Sequence, residues 1–271
     1  MRRRLWHALR QLVRFGWQQA LSCVFPVVIF ASLALTKLIP LPWLPRYDWL
    51  LIVCLAMQVW MLRSGLETRD ELKVITVFHL IGLALELFKV RMGSWSYPEE
   101  GWTKVGGVPL YSGFMYASVA SYLCQAWRRL KVDLVRWPPF WLVTPLAACI
   151  YLNFFTHHYW IDIRWGLFAL VLIVFGRTWV AFEVGHHRYR MPLTVSFVLI
   201  GFFIWIAENI ATFFSAWEYP DQADAWRLVH VGKVSSWLLL VIVSFLIVAA
   251  LKQFKEKRFV VERDIRPPFY N

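Results

Sequence analysis

Glu86 and Glu208 each lie within a strongly apolar stretch, and each begins the pattern Glu-x8-Trp-x-Tyr-Pro. The first copy is Glu86, Trp95, Tyr97 and Pro98; the second is Glu208, Trp217, Tyr219 and Pro220, 122 residues later, with Glu99 and Asp221 following. A carboxylate in a hydrocarbon layer costs about 2.5–3.5 kcal/mol by insertion scales, so each must face protein or water, where it can hold or deliver a proton. Proton delivery to a carbon–carbon double bond gives a carbocation, which aromatic faces stabilise by about 0.5–2 kcal/mol each. The pattern therefore points to acid–base chemistry on an unsaturated, lipid-soluble molecule. Glu86 and Glu208 would be the proton donor and its partner, and Trp95, Tyr97, Trp217 and Tyr219 would surround the substrate. Glu86 could equally be an internal support, paired with Lys89 or Arg91 or bonded to loop backbone.

Other groups could extend this site. His79 precedes Glu86 by seven residues with Gly82 between, so all three lie near one helix face, and a histidine with a carboxylate can relay protons. Tyr111, Ser112 and Tyr116 begin a segment that either lines a polar cavity or packs small residues between helices. Glu183, His186 and His187 have i, i+3, i+4 spacing at the end of a predicted sixth helix, but His157 and His158 fall at its other end, about 30 Å away. They cannot share one metal cluster, so no metal is expected. Neither GxxxxGK[ST], GxGxxG, GxSxG nor HExxH occurs, and no cofactor is expected.

The elements that must position these residues are read from composition. Of 271 residues, 59% are apolar and 17% charged, against roughly 45–50% and 25% in soluble domains. Apolar windows fall at Gln18–Thr36, Tyr47–Leu62, Val74–Val90, Val108–Trp127, Pro139–Thr156, Ile163–Phe182, Pro192–Phe214 and Val231–Leu251. The expectation is an all-α, multi-pass bundle of about eight transmembrane helices in a bacterial inner membrane. The net charge of +12 raises a nucleic-acid partner, but placement argues for the bilayer: twenty of the 29 Lys and Arg fall on the side of the two ends, eight on the other, and Arg177 within the sixth window. Both ends are thus expected in the cytoplasm. Cys23, Cys54, Cys124 and Cys149 lie in apolar segments without CxxC spacing and read as small buried residues.

The shift of 122 that superposes the two motifs also lays windows one to four over five to eight. We expect a basic segment 1–17, a first four-helix repeat 18–127, a linker 128–138, a second repeat 139–251 and a basic tail 252–271. With an even number of crossings each, the halves should be parallel repeats about an axis along the membrane normal, with Trp-x-Tyr-Pro turning the chain at the outer surface.

From Glu86 the chain reads ELFKVRMGSWSYP and, from Gly106, GGVPLYSGFMYASVASY. On these residues it resembles a bacterial membrane family known as domain of unknown function 817, which implies a helical membrane protein without implying an activity. It is more loosely similar to membrane carotenoid-biosynthesis proteins, including carotenoid hydratases, through Glu86, Gly93, Trp95, Tyr97, Gly107, Val108, Pro109 and Leu110. That similarity implies a carboxylate acting on an isoprenoid. The leading expectation is a membrane enzyme that hydrates, cyclises or isomerises an isoprenoid-like substrate. The alternatives are a transporter with a carboxylate-lined site between its halves, and a sensor or assembly protein.

Overall fold

The first 22 residues carry apolar side chains at Leu5, Leu9, Leu12, Gly16 and Ala20, one face of a 3.6-residue period, with Arg10 and Arg14 on the other. They form helix α1 (Arg2–Ser22), which bends by 68° at Cys23 into α2 (Val24–Leu38). The computed structural model describes residues 2–230, 233 and 239–249. Then come α3 (Arg46–Arg63), α4 (Arg69–Arg91), a small hairpin of β1 (Lys104–Val105) and β2 (Val108–Pro109), α5 (Ser112–Arg129), β3 (Asp133–Val135), α6 (Phe140–Thr156), α7 (Arg164–Phe175), β4 (Trp179–Val184), β5 (His187–Pro192), α8 (Leu193–Phe213) and α9 (Leu239–Ala249).

Each apolar window contains a helix, but the all-α expectation is corrected: the fold is mostly helical with two small sheets. The sixth window ends early: α7 stops at Phe175, and Trp179–Val184 runs as a strand because it is rich in β-branched and aromatic residues. It pairs antiparallel with β5 across the two-residue turn Gly185–His186, where Gly185 takes φ +63°. The linker 128–138 adds β3 to that sheet, Asp133 opposite Ala181. Among the described residues, α8 alone is long and apolar enough to cross a membrane by itself, and the bent α1–α2 pair makes a second candidate; α6, α7 and α9 are apolar but shorter. The tail 252–271 and most of 231–238 lie outside the described residues.

Successive helices run between two ends. At the motif end, the loops after α2, α4, α6 and α8 meet. Arg46 uses its whole guanidinium there, donating to Thr36 Oγ1 at 3.1 Å, Glu99 at 2.7 Å, Ser215 O at 3.1 Å, Leu33 O at 3.0 Å and Phe214 O. Asp48 accepts from Trp102 N at 2.8 Å, Thr103 N at 2.9 Å and Thr103 Oγ1 at 2.6 Å, fixing the loop after α4. At the sheet end, Arg128 and Gln125 bond Leu66 O, Lys131 pairs with Glu183 at 2.7 Å, and Gln11 of α1 meets His187 at 3.2 Å.

In the middle, α5 buries Ala117, Ser118, Ala120, Ser121 and Cys124, small residues that let neighbouring helices approach. Against α4 the fit is reciprocal. A Cβ on Gly82 would lie 2.4 Å from the Tyr116 ring, and one on Gly113 2.7 Å from the His79 ring. Each glycine receives the large side chain of the other helix. Gly82→Ala should therefore push Tyr116 outward and lower the thermal midpoint of the purified protein, by roughly 1–3 kcal/mol of overpacking; an unchanged midpoint would contradict this packing.

A second prediction comes from the motif end, where buried Lys89 reaches His158 Nε2 at 2.9 Å and His157 Nε2 at 3.4 Å. Partial burial, the Lys89 ammonium and His157 push His158 down to about 4, and burial and Lys89 lower His157 as well. Protonation is thus disfavoured in the folded state, so the stability these groups contribute is complete above the ordinary histidine value and is lost as pH falls from about 6.5 towards 4. Thermal midpoints measured from pH 7.5 to 4.5 should fall less steeply for His158→Asn than for the native chain; parallel slopes would refute the contact.

Candidate functional site

The site is built by how α4 and α8 end. After α4, Gly93 takes φ +68°, Ser94 N bonds Lys89 O at 3.0 Å and Gly93 N bonds Val90 O at 3.0 Å, a Schellman cap that reverses the chain. After α8, at positions 122 residues on, Ser215 takes φ +53°, Ala216 N bonds Ala211 O at 2.9 Å and Ser215 N bonds Thr212 O at 2.9 Å. Ser215 is a non-glycine residue in the left-handed region, so this cap is strained where the first is not. Each reversal brings its Trp-x-Tyr back onto its own glutamate. The two segments then pair with each other: Ser96 and Glu218, matching positions of the motif, exchange two backbone hydrogen bonds of 2.9 Å. An antiparallel bridge between matching residues is what a two-fold axis through that point produces.

Glu86 is 3% exposed and accepts three hydrogen bonds: Trp95 Nε1 at 2.7 Å and Tyr97 OH at 2.8 Å on Oε2, and Tyr116 OH at 2.8 Å on Oε1. Glu208, also 3% exposed, accepts from the Tyr219 hydroxyl, beside which the Trp217 indole lies. Across the seam the Trp95 ring meets Tyr219 edge-on, centroids 6.0 Å apart, and Lys233 Nζ lies 2.7 Å above the centre of the Tyr219 ring. Asn209 and Trp205 hold the following loop, accepting from Val229 N at 2.9 Å and donating to Val229 O at 3.0 Å.

Both glutamates line one chamber of about 840 Å³, at the upper end of the roughly 300–1,000 Å³ usual for small-molecule sites. Trp95, Tyr116, Trp217 and Tyr219 line it with them, and most of the remaining wall is apolar, from α1, α2, α5, α8, α9 and the three-stranded sheet. Six of the sequence-predicted residues are thus brought together. Tyr97 stands behind Glu86 as a donor without reaching the chamber wall. Tyr111 stacks on Tyr47 at 5.4 Å and donates to Ala216 O at 2.8 Å, and Ser112 is fully buried; both are structural neighbours of the chamber. His79 packs on Phe114, ring centroids 4.4 Å apart, and does not line the chamber, so no relay to Glu86 forms.

Two sequence expectations change. Glu86 takes hydroxyl and indole partners, not Lys89 or Arg91. Glu183 and His187 sit on strands facing across a hairpin, so helical spacing no longer applies; among the described residues no three His, Cys, Asp or Glu converge on a metal position.

Sequence reasoning missed two features. One is the wall from α1, including Gln19, which accepts from Tyr122 OH at 2.9 Å; the spacing of apolar residues among the first arginines was the available signal. The other is Glu67 at the sheet end, bonded by Gln58 and Ser121, whose carboxyl burial holds above its usual range. It had no sequence signal beyond an acidic residue between two helices.

A family described as "Protein of unknown function (DUF817)" matches residues 11–245. The uncharacterized protein YoaT of Bacillus subtilis (strain 168) is 78% identical over 250 residues, which cover 92% of this chain and 95% of that protein. No solved structure matches. The matched span takes in both glutamates, both aromatic turns and most of the chamber wall, and the chain belongs to the DUF817 family.

Proposed function

We propose that this protein is a multi-pass enzyme of the bacterial inner membrane that performs acid–base chemistry on a lipid-soluble, isoprenoid-like substrate. Four features support the membrane part. Large apolar side chains are exposed on helix after helix, among them Val27, Ile52, Val77, Leu152, Ile173 and Phe203, a surface that water would penalise. Exposed tryptophans collect at both ends, Trp43, Trp102, Trp160 and Trp226 at the motif end and Trp6, Trp60, Trp141 and Trp179 at the sheet end, as in interfacial belts. The loops segregate to the two ends in the alternation that eight crossings require. Lys and Arg favour the sheet end, which is therefore the cytoplasmic one. The matching caps, and the bridge between Ser96 and Glu218, support two parallel halves, 18–127 and 139–251, related by an axis along the membrane normal.

The observation that carries the enzymatic reading is the pair of glutamates on one otherwise apolar chamber. Two acids on the wall of one mostly apolar chamber can divide a proton transfer between them. Glu86, its oxygens occupied by three donors, is held as an acceptor and suits the base. Glu208 is then the donor. A proton passes from Glu208 to one alkene carbon, whose π electrons form the new C–H bond and leave a cation on the neighbouring carbon. Trp95, Trp217 and Tyr219 face that cation. Loss of an adjacent proton to Glu86 completes an isomerisation; in a cyclisation the π electrons of a second double bond of the same chain first form the ring C–C bond, moving the cation to that bond's other carbon, which then loses an adjacent proton to Glu86; capture of a water, followed by loss of the oxonium proton to Glu86, completes a hydration.

Lipid extracts of cells with and without the protein, compared by mass spectrometry, should differ in an isoprenoid pair related by isomerisation or by one water. Glu86→Gln and Glu208→Gln should each cut conversion by about 10²-fold or more at unchanged protein abundance, the scale of a lost general acid or base. Identical profiles with and without the protein would overturn the enzymatic reading, and solute uptake into proteoliposomes lost with Glu86→Gln would replace it with transport.

A further inference from the structure

The chamber is longer than it is wide, and its two ends differ. Along α5 its wall runs from Tyr116 to Leu130, and along α8 from Ser196 to Ala211, which at 1.5 Å per residue is about 21–22 Å. Spread over that length, 840 Å³ leaves a mean cross-section of about 40 Å². The carboxyls and their tyrosine partners crowd one end, where Glu86, Glu208 and Tyr219 are 3%, 3% and 2% exposed. The described residues that line the rest of it include Leu12, near the sheet end on α1, and Phe203, midway along α8, each 65% exposed. Gly16, on the same α1 face, has no atom within 4 Å of where a Cβ would stand, so the chain is open beside it.

We infer that the chamber takes one extended hydrocarbon chain, which enters sideways from the bilayer between α1 and α8 and reaches the glutamates with its leading end. This rests on the chamber being the substrate site proposed above. A long slot with its polar groups at one end selects by length, because only a chain that fills it buries its whole surface. An extended chain covers about 3.8 Å for every three bonds, so 21 Å holds roughly 16–17 bonds, the main-chain length of a C20 prenyl alcohol. A C10 chain fills half of it. The helix on one side of that entrance, α1, ends in the 68° bend into α2.

The full-length protein, purified in detergent and stripped of lipid, should be titrated with all-trans geraniol (C10) and geranylgeraniol (C20) and read by native mass spectrometry. The C20 alcohol should be retained at least tenfold more tightly than the C10. Gly16→Trp, which fills open space at the entrance, should weaken C20 retention tenfold or more and C10 retention less than twofold, while Gly16→Ala behaves as the native chain. If Gly16→Trp does not fold, Leu199→Trp on α8 must give the same split. Equal retention of the two alcohols, or tryptophan variants that leave C20 binding intact, would overturn the inference. Length-selective binding with unchanged cellular lipids would sink the enzyme alone, and conversion that needs the glutamates but ignores the tryptophans would sink the entry route alone.

Discussion

A buried carboxylate must be compensated, and the motif end of this protein is arranged around two of them. Removing an ionised acid from water is costly unless hydrogen bonds replace the lost solvent. For Glu86 the replacements are two donors from the turn that follows its own helix and one from α5. The turn must therefore double back, which requires the left-handed cap at Gly93. Helix α5 must approach closely enough for Tyr116 to reach, which requires Gly82 to lack a side chain. Cap, glycine and aromatic spacing are consequences of one requirement, met again in large part around Glu208.

The two motif turns are joined by what this requirement brings to the surface beside each. Once each Trp-x-Tyr folds inward, the backbone beside it is left free to pair, and Ser96 and Glu218 use it on each other. Arg46 and Asp48 then lock the loops around that bridge. The two motif copies also differ in their neighbours: Tyr111 is matched in the sequence by Lys233, which lies over Tyr219.

Much of this was legible in the sequence, because local signals carried it. Apolar runs located a helix in every window, and the repeated motif found Glu86, Glu208 and their aromatic neighbours. Hydropathy alone overran at Phe175, since a window adds apolar residues without asking whether they repeat every 3.6 residues or every two. The first helix was hidden because five arginines dominate residues that also carry an amphipathic period. Tyr116 as a donor and the parting of His79 from Glu86 were not legible, since each depends on how α5 lies against α4, a contact between residues some thirty positions apart.

The central claim is that Glu86 and Glu208 face one chamber at the seam of the two halves. It is tested most directly in full-length protein with Cys23, Cys54, Cys124 and Cys149 replaced by alanine, carrying Glu86→Cys and Glu208→Cys together. A short bismaleimide should link the two positions within one chain, and the link should appear as a single mass shift in the intact protein. Two independent additions with no internal link would show that the acids face separate spaces and would contradict the account.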